Sequence, residues 1–161
     1  VIFLDFGESD VSKWTLDKNI ETHSKDQQEN IRKKMNVIDQ MIMKRKQENT
    51  DDYSPIYICI HHIDIFIKKY IELKEELLYV ITNGHYHNIY VMATCNYPSQ
   101  LDHRMFQCFT QRICLYFNDR HEYYYVFNKI TDIFPNQIKG RGLLMKKNKL
   151  YEFQSYQIHE H

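Results

Sequence analysis

One stretch constrains this chain more than any other: Ser54-Pro55-Ile56-Tyr57-Ile58-Cys59-Ile60-His61-His62-Ile63-Asp64. A proline opens it, and five uncharged residues follow, three of them isoleucine. Such a run predicts a strand over Ile56–Ile60 buried on both faces, as in a parallel sheet. Two histidines and an aspartate then interrupt the run before a helical pattern begins. In an open α/β sheet the chemistry collects just beyond the carboxyl ends of such strands. A nucleotide hydrolase needs acidic residues at that place, one to hold Mg²⁺ and one to position water. This chain carries His61 and His62 there instead.

The rest of the chain can be laid out around that strand. Val1–Phe6 reads as another buried strand, ended by Gly7. The polar run from Glu8 to His23 reads as a loop anchored by Trp14 and Leu16. Ser24-Lys25-Asp26-Gln27 has the form of a capping box. The helix it announces runs to about Gln47 with Ile31, Met35, Ile38 and Ile42 on one face. Its other face mixes charges of both signs, the pattern of a solvated surface. After the central strand, a single helix is expected from Asp64 to Thr82, burying Phe66, Tyr70, Leu73, Leu77 and Ile81, with Asn83-Gly84 as its stop. Asn88–Cys95 reads as a strand, Gln100–Phe109 as a short helix opened by Pro98-Ser99, Arg112–Phe117 as a strand and Asp119–Asn128 as a helix. Pro135–Gly142 reads as a loop, and Leu143–Gln154 as a hairpin turning at Lys147-Asn148. This alternation predicts an α/β fold, a mostly parallel sheet with helices on both faces and a C-terminal β-hairpin.

Composition narrows the partners. Lys plus Arg and Asp plus Glu both number 21 in 161 residues, so no net field favours nucleic acid or an anionic membrane. No apolar run is long enough to span a bilayer, so no membrane insertion by this stretch is expected. The chain opens directly into a strand, without a leader, and so reads as a piece of a longer polypeptide. The four cysteines form no C-x-x-C pair. Cys59, Cys95 and Cys114 fall in apolar segments, as small buried hydrophobes do in a reducing cytosol.

A phosphate-cradling loop needs a glycine-rich run opening a helix. The four glycines, Gly7, Gly84, Gly140 and Gly142, form none. His61-His62 and His85-x-His87 fit no zinc spacing, and adjacent histidines are expected to point apart. His85 and His87 follow a helix end, where an imidazole is favourable anyway. No G-x-S-x-G elbow occurs for a serine hydrolase. Arg141, between two glycines, either reaches phosphate or a neighbouring domain or simply marks a tight loop entry. Tyr97 and Tyr123-Tyr124-Tyr125 suit a protein interface or core packing.

At these positions the chain resembles a known family. Val1-Ile2-Phe3-Leu4-Asp5-Phe6-Gly7 is similar to the Asp-Phe-Gly strand that follows the P-loop helix in FtsK/SpoIIIE-type ATPase domains of EssC proteins. Pro55–Asp64 stands where that family has its Walker B strand. Thr82-Asn83-Gly84 with Ile89–Thr94 resembles the Arg-x-Gly and hydrophobic-Thr-Ala segment. Arg112–Asp119, Lys139-Gly140-Arg141-Gly142 and Tyr151–Gln154 resemble the closing strand, Pro-Gly-Arg-Gly loop and final hairpin. The likeness runs through nearly the whole chain, with all four glycines at family positions.

The resemblance implies a RecA-like (FtsK-type) P-loop NTPase fold lacking the P-loop segment, as one degenerate ATPase-like domain over residues 1–161. It implies the last such domain of an EssC-type coupling protein of type VII secretion, cytoplasmic in a cell-membrane protein. Its expected partners are Esx-type helical-hairpin substrates and the other ATPase domains of the same polypeptide, with an oligomer in the intact machine. His61, His62, Asp64 and Thr94 become the remnant of a nucleotide site, and Arg141 an inter-domain or phosphate contact. Because His61 and His62 replace the Walker B acids, and Lys139 the loop proline, no catalytic residue, metal or cofactor is expected, and Mg·ATP would bind weakly. The alternatives are a nucleotide-hydrolysing translocase motor and a structural cap on the motor stack.

Overall fold

A computed structural model describes residues 1–7, 20–24, 27–48, 52–129, 132–147 and 149–156. The chain divides into two compact units, Val1–Asn96 and Tyr97–His161. The expected anchors Trp14 and Leu16, two residues of the expected capping box and Asn148 of the hairpin turn lie outside the described residues.

The first unit is built on a four-stranded, all-parallel sheet in the order β2-β1-β3-β4. Its strands are β1 (Ile2–Asp5), β2 (Glu21–Ser24), β3 (Ile56–His61) and β4 (Ile89–Ala93). Ile2 and Leu4 of β1 stand in register with Ile58 and Ile60 of β3, and all four are buried. The 21-residue helix α1 (Gln28–Glu48) connects β2 to β3, burying Ile31, Met35, Ile38 and Ile42 as their spacing requires. Helices α2 (Ile63–Lys69) and α3 (Lys74–Asn83) connect β3 to β4. Both connections travel the same way along the sheet, so right-handed crossovers place all three helices on one face. The packing of α1 on α3 agrees. On the other face Tyr57, Tyr90 and Met92 are exposed, with Tyr57 stacked on Tyr90 at 5.5 Å. Strand β3 is thus buried on the helix side, at Ile58 and Ile60, and only partly covered on the side of Tyr57 and Cys59.

Three local expectations are corrected. Glu21–Ser24, expected within a loop, is an edge strand; its polar composition suits an edge, and Glu21 N–H donates to Val1 O at 2.9 Å. The helix expected over Asp64–Thr82 is broken at Tyr70, whose backbone (φ −124°, ψ 59°) leaves the helical region. A 3₁₀ turn, Ile71–Leu73, follows before α3. The break lets the Tyr70 ring sink into the core, 5.9 Å from Phe6 and 5.4 Å from Phe66. It also resets the helical phase, so Leu77, Leu78 and Val80 are buried on α3 and Ile81 only partly. The α-helix does end at Asn83-Gly84, but not through a left-handed glycine: Gly84 (φ −57°) leads into a 3₁₀ turn, Gly84–His87, which left-handed Asn88 (φ 56°) ends. Glycine is needed at 84 for closeness, since a Cβ would lie 2.8 Å from Ile89 O. Arg45, from the last turn of α1, clamps this corner. Its guanidinium donates to His87 O at 2.6 Å and Ser54 O at 3.3 Å, over the Tyr53 ring.

The second unit holds α4 (His103–Cys108), β5 (Ile113–Leu115), α5 (Arg120–Phe127) and the hairpin β6 (Arg141–Lys146) with β7 (Lys149–Gln154). Strand β5, expected to extend the parallel sheet, instead pairs antiparallel with β6 in a separate three-stranded sheet, order β5-β6-β7. Asp102 caps α4 through its carboxylate, which accepts from Arg104 N–H at 2.9 Å, and Asp119 caps α5 in the same way through His121 N–H. Cys114, Tyr123, Val126, Phe127 and Leu143 form this unit's core. Arg112 ties it together: its guanidinium donates to Phe109 O, Val126 O and Phe106 O at 2.8–3.3 Å. All four cysteines are free thiols; Cys114 is buried, and burial pushes its thiol up to about 12, whereas Cys59, Cys95 and Cys108 are only partly buried.

Candidate functional site

The carboxyl ends of β1, β3 and β4 meet at one place, and the residues found there come from all three. Strand β1 ends on Asp5, whose Oδ1 accepts the Gly7 N–H at 2.9 Å, folding the chain back over the strand end. Strand β3 ends on His61, in register with Asp5, and its carbonyl accepts the Phe6 N–H at 3.1 Å. Strand β4 runs out into Thr94, which is hydrogen-bonded at every polar group. Its N–H donates to Ile60 O, its carbonyl accepts from Ile63 N–H, and its Oγ1 accepts from His62 N–H at 3.1 Å.

Between these strand ends lies the turn into α2. His62 adopts a left-handed backbone, φ 60° and ψ 62°, a conformation that costs a non-glycine residue roughly 1 kcal/mol or more. The cost is offset because both sides of the residue are held. Its N–H is taken by Thr94, and its carbonyl accepts from Ile65 and Phe66 at 3.0 and 3.1 Å. The reversal also corrects the expectation that neighbouring histidines point apart: the two rings lie with centroids 4.2 Å from each other. Gly7 closes the other side. A Cβ there would stand 2.5 Å from His61 Cδ2, 2.6 Å from its Nε2 and 3.0 Å from His62 Cδ2. Only a glycine lets the backbone of the β1 turn pass this close to both imidazoles.

The electrostatics follow from the packing. Burial lowers the His61 pKa from its ordinary value, and the neighbouring His62 lowers it further; Asp5 and Asp64 pull the other way without prevailing. His61 is therefore a neutral imidazole at pH 7. Asp64, in the first turn of α2, is buried, and its Oδ1 and the Nδ1 of His62 are both without a hydrogen bond. Among the described residues no group of three or more His, Cys, Asp or Glu is placed to hold a metal ion.

Of the residues singled out from sequence, His61, His62, Asp64 and Thr94 are thus brought together. Arg141 belongs to the second unit. It opens β6, after Gly140 at φ 79°, with its guanidinium 3.5 Å from Glu152 Oε1 across the hairpin. His85 and His87 precede β4, at the end of the parallel sheet opposite His61 and His62, so the two pairs do not converge. A cavity of about 280 Å³, lined by Val1, Ile2, Lys34, Val37 and Met41 among others, also lies at that opposite end. Asp5 and Gly7 are the members of the site that residue patterns did not single out. The signal was a carboxylate ending a buried strand two residues before a glycine.

A parallel sheet with its candidate site at the carboxyl ends of three strands, followed by an antiparallel hairpin, defines the RecA-like, FtsK-type α/β fold. Solved structures agree. The chain superposes on EssC (ATPases 2 and 3) from Geobacillus thermodenitrificans with a TM-score of 0.81 at 18% identity, over 94% of this chain and 32% of that one. It superposes on Thermomonospora curvata EccC (ATPases 2 and 3), solved in complex with a signal sequence peptide, with a TM-score of 0.75 at 13% identity, covering 96% of this chain and 31% of that one. For the pCW3 conjugation coupling protein TcpA, in its monomer form with ATPγS, the values are 0.76, 12%, 95% and 51%. The chain thus has the fold of EssC-type ATPase domains and spans about a third of the EssC and EccC chains and half of the TcpA chain. No protein-family model matches it, and no curated protein does.

Proposed function

We propose that this chain is a non-hydrolytic ATPase-like domain of an EssC-type secretion motor, which recognises an Esx-type helical-hairpin substrate and couples it to export. The observation that carries this reading is the pair of imidazoles at the end of β3. Hydrolysis in this fold requires a carboxylate there to hold Mg²⁺ near the phosphates. His61 offers a neutral ring, locked to Thr94, and the negative charges acting on it, Asp5 and Asp64, repel an uncomplexed triphosphate. Fold likeness supports the rest of the reading: one neighbour, EccC, was solved with a signal sequence peptide.

In this reading the domain lies on the cytoplasmic side of a membrane-anchored polypeptide, beside its other ATPase domains, in an oligomeric machine. The chain's own part is binding and positioning. No helix of the described residues is long and apolar enough to cross a membrane. A helix-in-groove mode suits a helical substrate, and Arg141 is a candidate contact to a neighbouring domain.

Calorimetry on the chain, titrated separately with Mg·ATP and with an Esx-type protein, tests the proposal. Heat with the protein and none with nucleotide is the expected result. Mg·ATP binding with phosphate release would restore a hydrolysing motor and overturn it. Silence in both titrations would favour a structural cap.

A further inference from the structure

The three-stranded sheet of the second unit is apolar on both of its faces, and one of them is open to solvent. Side chains alternate across a strand, and the register of β5, β6 and β7 sorts them into two sets. Cys114 and Leu143 belong to the core of the unit, with Met145 and Leu150 packed against it. The opposite face carries two rows that cross all three strands: Ile113, Leu144 and Tyr151, then Leu115, Gly142 and Phe153. Ile113 is 64% exposed, Leu115 54% and Tyr151 50%, with Leu144 and Phe153 half-buried. An antiparallel sheet with one face in solvent ordinarily alternates apolar inward and polar outward. Here the two outward rows hold no charged residue. A Cβ at Gly142 would stand 2.8 Å from the Phe153 ring, so the glycine lets that ring lie against the middle strand.

Charge says what covers this face. Beyond the row of Leu144 and Tyr151, the same face ends on Lys146 paired with Lys149, and exposed Lys147 makes the turn. The carboxylate of the hairpin, Glu152, stands in register with Leu143 and so belongs to the other face, with Arg141. The open face therefore presents two apolar rows followed by three lysines. We propose that it docks one amphipathic helix of a partner protein, with apolar side chains against Ile113, Leu115 and Tyr151 and carboxylates against Lys146, Lys147 and Lys149. The dimensions suit a helix. Three strands about 4.8 Å apart make a face about 10 Å wide, the width of an α-helix. Rows two residues apart are about 7 Å from each other, so the carboxylates sit little more than one helical turn beyond the apolar anchors. The inference rests on reading this chain as a domain that recognises a helical export substrate, and it assigns that helix its surface.

The experiment is calorimetry of an Esx-type protein against the full 161-residue chain, at low and high salt. The chain is compared as the wild type, as Ile113→Ser, as Leu115→Ser and with Lys146→Glu and Lys149→Glu combined. Ile71→Ser, at a 67% exposed position of the first unit, is the control. Serine at an exposed position leaves the fold in place, which circular dichroism checks, and the lysine variant tests the same face without touching its apolar rows. Each serine variant on the face should weaken binding about tenfold, as truncation of an interface anchor does. The charge reversal should weaken it as well and remove the salt dependence that the wild type shows, while Ile71→Ser should bind as the wild type does. Equal affinity across all variants would overturn the proposed surface and leave the recognition reading standing. No binding by the wild type would sink that reading and the surface with it. Flotation with phosphatidylserine vesicles and sedimentation of the chain alone cover the other occupants. Vesicle binding or self-association that the same substitutions abolish would assign the face to lipid or to a second copy, and overturn the proposal.

Discussion

Replacing Gly7 by alanine tests the packing of the site directly. The added methyl would meet the His61 ring at 2.5 and 2.6 Å, far inside contact distance, so the imidazole must leave. The ring is half-exposed and can swing outward, which keeps the steric cost near the low end of the ~1–3 kcal/mol typical of overpacking. Leaving also breaks the hydrogen bond to Thr94, for about 1 kcal/mol more. Together these put the loss at roughly 2 kcal/mol. Urea unfolding reads it as a lowered midpoint with an unchanged slope. A double-mutant cycle with His61→Ala isolates the cause. In the His61→Ala background only the 3.0 Å contact with His62 Cδ2 remains of these three, so Gly7→Ala should there cost much less. Equal destabilisation in both backgrounds would show that Gly7 is needed for its backbone and not for the imidazole, and the steric reasoning would fail.

Three further outcomes follow from the same contacts. Arg45→Met removes a guanidinium that satisfies the carbonyls of His87 and Ser54, and should cost about 1–3 kcal/mol in urea unfolding. Arg112→Met strips hydrogen bonds from Phe106, Phe109 and Val126 and should cost about 2–4 kcal/mol, read as faster amide hydrogen exchange confined to the second unit. The depressed His61 pKa makes stability depend on pH in a definite sense: the unfolded chain takes up the proton first, near the ordinary value of 6.5. The contribution is therefore whole above that pH and is lost as pH falls through the lower folded value. His61→Asn should flatten that part of the stability curve, and an unchanged curve would contradict a lowered His61 pKa in the folded chain.

Some of this was legible in the residues. The apolar runs Ile2–Phe6 and Ile56–Ile60 named two strands of the sheet, and Ile31, Met35, Ile38 and Ile42 named the buried face of α1. Both depend on local periodicity, which a linear pattern carries. The position of His61-His62 at a strand end was likewise readable, because the run stops being apolar there.

Other features depend on partners distant in the chain. Nothing near Glu21 announces a strand; it becomes one because β1 offers a free edge. Tyr70 breaks its helix where its ring packs against Phe6, the residue that follows the first strand. The pattern of β5 suits either sheet, and its pairing with β6 is settled only when the hairpin forms. The site shows the division most plainly. Residue order alone placed two imidazoles at the end of the central strand. Folding brought Gly7 and Thr94, 54 residues before and 33 after His61, against that ring, where they confine and orient it. A hydrogen-bond direction and a close approach are properties of atoms in space, and no spacing along the chain encodes them.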